Sequence, residues 1–192
     1  MRYKPEQREK TRKRIVKSAG TVFRLKGFHG IGVDGLMSAA KMTSGAFYGH
    51  FDSKGEVFRE VVRDGMHNLY ATIDNAQSTS GEKWLAAFAE HYLSLSHRLD
   101  LSEGCVLPSM GEEIVRSDPK TREMFEGELI KIKNLMASQL KNHPPEEEDQ
   151  QTAYAALAIL AGGVMLSRAV PTESAADEIL NSCRRAMKKL LS

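Results

Sequence analysis

A chain of 192 residues, 41% hydrophobic and 27% charged, is long enough for one or two domains with a real core, and its composition excludes a disordered or membrane-spanning chain. Its formal net charge of +2 conceals an asymmetry: residues 1–60 hold 13 Lys/Arg against 6 Asp/Glu, whereas residues 61–192 hold 14 against 19. The basic end favours a polyanion as its partner, and the remainder argues against one.

Residues 1 to 11 are polar and are expected to fray. No apolar signal-peptide core follows Met1, because Arg2, Lys4, Arg8, Lys10 and Arg12 to Arg14 crowd the start, so the chain is expected in the cytoplasm. Those basic residues have two readings, a solvated helix end or an arm lying along a phosphate backbone. Ile15, Val16, Ala19, Val22 and Phe23 then recur at helical spacing until Gly27 ends the first helix. Residues 33–51 read as two short helices joined by a tight turn, a helix-turn-helix. Val33, Leu36, Met37 and Ala40 supply the apolar face of the first, and Met42 covers the end of the joint core. Thr43 or Ser44 is expected to cap the second, in which Phe47 and Phe51, four apart, face inward. Ser44, Ala46, Tyr48 and His50 are left to point outward, a set suited to touching a partner.

Asp52 or Ser53 caps a long helix from Lys54 that carries Val57, Phe58, Val61, Val62, Met66, Leu69, Tyr70 and Ile73 on its buried side. It links a domain of residues 1–53 to one of residues 54–192, and residues 78–81 break it. Trp84, Leu85, Phe88, Tyr92, Leu95 and Leu99 mark a fifth helix, followed by a turn at residues 102–104. Cys105 to Val115 forms a short sixth, and Asp118-Pro119 is a cap with proline at the first helical position. Met124, Phe125, Leu129, Ile132, Leu135, Met136 and Leu140 make the seventh, which His143-Pro144-Pro145 ends. The eighth opens on residues 146–149, all acidic, which suits the positive end of a helix dipole. From Ala153 to Leu166 it is nearly all apolar and rich in small residues, a buried helix rather than a membrane span. The ninth, from Ser174, buries Ile179, Leu180, Cys183, Met187, Leu190 and Leu191. Together the last two hold more apolar face than one monomer's core needs.

The residues around the helix-turn-helix resemble the TetR family of transcriptional regulators. The resemblance rests on Ile15, Ala19, Phe23, Gly27 and Phe28, on Val33 and Leu36, on Ser44-Gly45-Ala46-Phe47-Tyr48 and His50-Phe51, and on Lys54. It is ungapped over residues 10–60 and holds only in outline beyond. It implies an all-α fold of about nine helices: an N-terminal three-helix domain with the helix-turn-helix, and a C-terminal helical domain that binds a ligand and dimerises through its last two helices. Two positions depart from the family pattern, Lys41 where the turn usually has Gly, and Gly32 where Ser or Thr is usual. A left-handed Lys41 costs on the order of 1 kcal/mol relative to Gly. Gly32 as a cap gives up only a few tenths of a kcal/mol.

With the second short helix in a major groove, Thr43, Ser44, Tyr48 and His50 can donate to phosphate oxygens, and so can Lys54. Gly45 and Ala46 lie near base edges, and Lys41 is a further contact in the turn. The plainer reading makes Tyr48 and His50 ordinary helix surface. One such helix reads too few base pairs to be selective, so a homodimer on a palindromic operator in double-stranded DNA is expected. In the second domain the resemblance implies that Trp84, Phe88, Tyr92, Leu107, Met110, Phe125 and Met136 wrap a cavity for a small-molecule effector. Each taken singly also suits plain core.

Cys105, at a helix start after Gly104, is a possible sensor of oxidants or electrophiles, although Glu103, Glu112 and Glu113 oppose a low thiol pKa. Two cysteines make no disulfide framework and no Cys-x-x-Cys spacing. No metal site is expected: His91 and His97 fall on different faces of a helix, and Asp64 with His67 is an isolated pair. No cofactor is implied, and the lack of a Gly-rich phosphate loop or a Gly-x-Ser-x-Gly elbow leaves an enzyme little to stand on. The expected function is therefore a repressor released from its operator by a small apolar or reactive ligand. The alternative second domain only dimerises or binds a protein. An apolar cavity of several hundred cubic ångströms separates the first from the second, whose core would be filled.

Overall fold

The computed structural model describes residues 5–140 and 145–190; Leu191, His143 and Pro144, used in the reading above, lie outside them, as do Arg2 and Lys4. Among the described residues the chain forms nine α-helices and no strand: α1 Pro5–Lys26, α2 Val33–Ala39, α3 Lys54–Ser80, α4 Trp84–Tyr92, α5 Leu95–Leu99, α6 Val106–Val115, α7 Pro119–Ala137, α8 Glu147–Ala169 and α9 Glu173–Leu190. Ser44–Gly49, between α2 and α3, is a 3₁₀ segment.

Helix α1 starts before the expected frayed stretch ends. Residues 5–11 are helical, and Arg8 and Arg12 of this end reach across to the 3₁₀ segment. Gly27 stops the helix with φ +72° while its N–H still donates to the Phe23 carbonyl at 2.9 Å. The chain then turns so that Phe23, Phe28 and Phe58 meet with ring centroids 5.2 to 5.8 Å apart, locking α1, the loop after it and α3 together.

Lys41 adopts φ +55°, which makes the turn after α2 left-handed on a side chain. It is the non-glycine residue with positive φ among the described residues. Replacing it by Gly removes the Cβ crowding, so Lys41→Gly is expected to raise unfolding free energy by up to about 1 kcal/mol, read from urea midpoints. An unchanged or lower midpoint would count against strain at this turn.

The 3₁₀ segment differs from the expected capped helix. Thr43 occupies the cap position with extended backbone, but neither its side chain nor that of Ser44 bonds an amide there. With i to i+3 bonding, the Ala46 N–H is satisfied by the Thr43 carbonyl at 3.0 Å, so that amide needs no side-chain acceptor. Helix α3 is capped as read: Ser53 Oγ accepts from the Glu56 N–H at 3.1 Å, and Glu56 Oε2 accepts from the Asp52 N–H at 2.8 Å. Its apolar stripe is buried from Val57 to Ile73, except for Tyr70, which is 38% exposed rather than inward.

Residues 84–99 form two helices instead of one. Tyr92 and Leu93 release their carbonyls from the helix ladder: His97 Nδ1 takes the first at 2.6 Å and the Arg184 guanidinium takes the second. Ser94 then caps α5 by accepting from the His97 N–H at 3.2 Å. The redirected α5 leaves Leu95 and Leu99 on the surface, at 52% and 63% exposure. Asp118 caps α7 by accepting from the Thr121 N–H at 2.8 Å, with Pro119 next. Helix α8 is long and apolar enough to cross a membrane, but it packs against α6, α7 and α9 and buries Ala153, Ala156, Leu157, Leu160, Gly163 and Val164. Its open face carries Tyr154, Met165 and Leu166. Helix α9 buries Ala176, Leu180 and Met187, with Ile179, Cys183 and Leu190 half-buried.

Candidate nucleic-acid interface and effector cavity

The 3₁₀ segment is held from beneath. Phe47 and Phe51 are buried in the joint core with α1, α2 and α3, which leaves Tyr48 between them 72% exposed. Lys41, Thr43 and Gly45 are exposed, and Ser44 and His50 are half-buried. A Cβ placed on Gly45 or Gly49 would meet nothing within 4 Å, so this rim is open to close approach. Ala46 instead packs half-buried against the core and does not point freely outward. Its place in the segment, next to buried Phe47, draws it in.

Two arginines of α1 fasten the far end of the segment. Arg8 Nη2 donates to the Gly49 carbonyl at 3.0 Å, and Arg12 Nη1 donates to the His50 carbonyl at 2.6 Å. Arg12 also pairs with Glu56 at 3.0 Å and Glu60 at 3.4 Å, and its guanidinium lies 4.1 Å from the centre of the Phe51 ring. Burial, then the Arg8 and Arg12 charges, push the His50 imidazole pKa down, which favours its neutral form. Its Nδ1 is buried without a partner. Lys54 turns inward as well: Nζ donates to the Phe28 carbonyl at 2.9 Å and the Ile31 carbonyl at 3.0 Å, and sits 4.2 Å from the Phe28 ring centre. It thus ties α3 to the α1–α2 loop. Arg14 and Lys17 remain as exposed cations on α1. Nothing in the local pattern around Arg12 distinguishes it from these, since its partners lie 38 to 48 residues away.

A cavity of about 220 Å³ lies between α3, α4, the chain from α5 into α6, and α1. Arg24 of α1, Gly65, Asn68, Leu69 and Thr72 of α3, Phe88, His91 and Tyr92 of α4, and His97 and residues 100 and 103–106 after it form the lining. Of the seven residues expected around an effector, Phe88 and Tyr92 reach this lining. Trp84, Met110 and Met136 are fully buried core, with the Trp84 indole donating to the Gln139 carbonyl at 3.1 Å. Leu107 is half-buried against that core, and Phe125 lines an open groove beside α6.

His97 is locked in one tautomer. Nδ1 must donate to the Tyr92 carbonyl, so Nε2 is the acceptor for the Cys105 N–H at 3.2 Å. Burial pushes its pKa down, which agrees with a neutral ring. Cys105 is the cap residue of α6 and lines the cavity. Burial pushes its thiol pKa up, against the pull of the Tyr92 hydroxyl, Arg24 and Arg168, so the expected lowering by the helix start does not prevail.

The cavity wall is joined directly to α1 and the loop after it. Thr21 Oγ1 donates to Glu103 Oε1 at 2.8 Å, Arg24 Nε donates to the Gly104 carbonyl at 2.8 Å, and the Phe28 N–H donates to Glu113 Oε1 at 3.0 Å. Residue 104 must be small here: a Cβ would run into the Asp100 carbonyl and the Arg168 guanidinium.

Residues 15–61 match the family described as bacterial regulatory proteins, tetR family. The HTH-type transcriptional repressor DhaR of Mycobacterium sp. (strain GP1) is 24% identical over 107 residues, 56% of this chain and 54% of that protein. The chain spans about half the length, or less, of the curated relatives it matches. A TetR-family transcriptional regulator from Cytophaga hutchinsonii has the same fold, with a TM-score of 0.79 at 19% identity over 97% of this chain and 98% of that one. AibR, solved in complex with isovaleryl coenzyme A and operator DNA, superposes with a TM-score of 0.64 at 17% identity over 91% and 96% of the two chains. With the helix-turn-helix assembled from the residues that carry the match, residues 15–61 form a region of the tetR family of bacterial regulatory proteins, and the chain as a whole has the fold of the regulators it resembles.

Proposed function

We propose that the chain is a cytoplasmic homodimeric repressor that occupies a palindromic operator in double-stranded DNA and leaves it when a small molecule enters the cavity beside α4. Residues 1–53 serve as the DNA-binding domain and 54–192 as the effector-binding and dimerising one. The observation that carries this reading is Tyr48, an aromatic hydroxyl held 72% exposed by two buried phenylalanines on the rim of a basic domain. Tyr48, Thr43, Ser44 and Lys41 face the phosphates, Gly45 lets a backbone approach closely, and His50 contributes as a neutral donor or acceptor. Ala46 and Lys54 act from behind, Ala46 by packing and Lys54 by fixing the loop before α2. Pairing of two copies through α8 and α9 would cover Tyr154, Met165 and Leu166 and set two such rims about one DNA turn apart. That AibR was solved with both an acyl coenzyme A and operator DNA supports a ligand-governed regulator of this fold. Cys105, as a neutral thiol in the lining, belongs to the ligand surface in this reading rather than to a redox switch.

Fluorescence anisotropy on the DNA flanking the protein's own gene tests the proposal. Affinity should fall steeply with salt, and Tyr48→Ala should weaken binding about tenfold or more while leaving the urea midpoint where it was. Wild-type affinity in that variant would remove Tyr48 from the interface.

A further inference from the structure

Among the cations near the start of α1, Arg8 differs from its neighbours. Lys10 and Lys13 pair with Glu6 and Glu9, and Arg12 pairs with Glu56 and Glu60. Arg8 forms no ion pair among the described residues, yet it is fixed in place, because Nη2 donates to the Gly49 carbonyl at 3.0 Å. That bond uses one of the five donors of an exposed guanidinium and leaves the others without a partner in the described chain. An unneutralised charge is thereby held at the far end of the 3₁₀ segment.

Beside that carbonyl stands His50. Its own carbonyl is taken by Arg12, its side chain is half-buried, and Nδ1 is enclosed without a hydrogen-bond partner. Burial, then the charges of Arg8 and Arg12, favour the neutral ring. Guanidiniums near a buried ring nitrogen favour a lone pair there over an N–H, which leaves the single proton on Nε2. Nε2–H is then the donor on the outer edge of the ring.

Gly49 joins the two side chains, and it is exposed. Its φ is not positive, and a Cβ placed on it would meet nothing within 4 Å. Neither the backbone nor the surrounding protein calls for glycine here. The bare backbone leaves room for a bulky anion next to both donors.

We propose that Arg8 and His50 hold one phosphate of the DNA backbone between them, Arg8 supplying the charge and His50 a hydrogen bond from Nε2. The proposal rests on the DNA-binding reading above and adds Arg8 to its contacts. Gly45 and Ala46, the residues placed near base edges, lie toward the other end of the segment, so this contact fixes register rather than reading sequence. The bond to Gly49 holds the guanidinium beside the segment before DNA arrives, which reduces the side-chain freedom lost on binding.

The test uses the operator fragment from the DNA flanking the gene, with each phosphate of one half-site replaced in turn by a neutral methylphosphonate. At one position the replacement should weaken wild type about tenfold, and it should weaken Arg8→Gln and His50→Phe by no more than about twofold at that same position. On the unmodified fragment Arg8→Gln should bind about tenfold more weakly, with the salt slope of log affinity smaller by about 1, whereas Arg8→Lys should keep the slope. The urea midpoints of both Arg8 variants should match wild type, since the side chain is exposed. A weaker Arg8→Gln with an unchanged slope would make Arg8 only a support for the segment and overturn the proposal. So would wild-type sensitivity to every methylphosphonate in that variant, or Arg8 and His50 variants that lose sensitivity at different phosphates. In each of those cases wild type still binds the fragment and the regulator reading stands. Failure of wild type to bind any flanking fragment would remove both.

Discussion

Arg12→Ala should lower unfolding free energy by about 2–3 kcal/mol and weaken operator binding along with it. The side chain is 28% exposed and does three things at once. It closes the His50 carbonyl at 2.6 Å, it is the partner of Glu56 and Glu60, and it covers the Phe51 ring at 4.1 Å. Removing it leaves two neighbouring carboxylates facing each other and frees the end of the 3₁₀ segment that carries Tyr48. Arg12→Lys keeps the charge but lacks the planar fork that reaches a carbonyl and a carboxylate together, so it should recover less than half of the loss. Arg14→Ala is the informative contrast. Arg14 is exposed, and its loss should reduce the salt slope of DNA binding without moving the urea midpoint. A wild-type midpoint for Arg12→Ala would return this residue to the phosphate-binding arm.

Arg168→Ala should have an effect of similar size, about 2–4 kcal/mol, concentrated in the cavity wall. From near the end of α8 its guanidinium donates to the carbonyls of His97, Arg98 and Asp100 and to Ser109 Oγ, all at 2.8 to 3.0 Å. Those acceptors sit on three consecutive pieces of chain: α5, the loop after it, and α6. The same loop carries Glu103 and Gly104, which hold Thr21 and Arg24 of α1. Without Arg168 the loop loses its tie to α8 while keeping its tie to α1. Hydrogen exchange should then quicken at residues 97–105 before it quickens in α3, with a lower melting temperature. Half-exposure of the side chain lets water replace some of these bonds, which sets the lower end of the range. Unchanged exchange at residues 97–105 would show that the ties to α1 and α6 hold the loop without Arg168.

The two predictions concern residues of the same type, and neither role follows from the chain read locally. Most helix positions, most of the buried faces of α3 and α9, the Asp118 cap and the inward Phe47 and Phe51 follow from spacing and residue chemistry, and the left-handed Lys41 turn from the resemblance to a family that has Gly there. Each depends on neighbours within four or five positions, and a periodic signal records such neighbours. The break at residues 93–94 was not legible, because the groups that release those carbonyls are His97 and Arg184, the latter 91 residues away from Leu93. Trp84, Met110 and Met136 as core, against Phe88 and Tyr92 at a cavity, could not be separated either. All five are large and apolar, and only the packing of α3, α4 and α6 decides which side chain meets another and which meets space.

The sequence by itself determined the class of molecule: an all-helical chain with a basic helix-turn-helix end and an acidic, apolar-rich remainder, since charge and period are properties of composition and order. The tertiary structure decided which cations stay free to meet DNA. Arg12 and Lys54 are closed off by carbonyls, and in the case of Arg12 by carboxylates too, while Arg14 and Lys17 stay exposed. A hydrogen bond between distant residues forms only when the fold brings donor and acceptor within about 3 Å, and no local pattern in the chain encodes that distance.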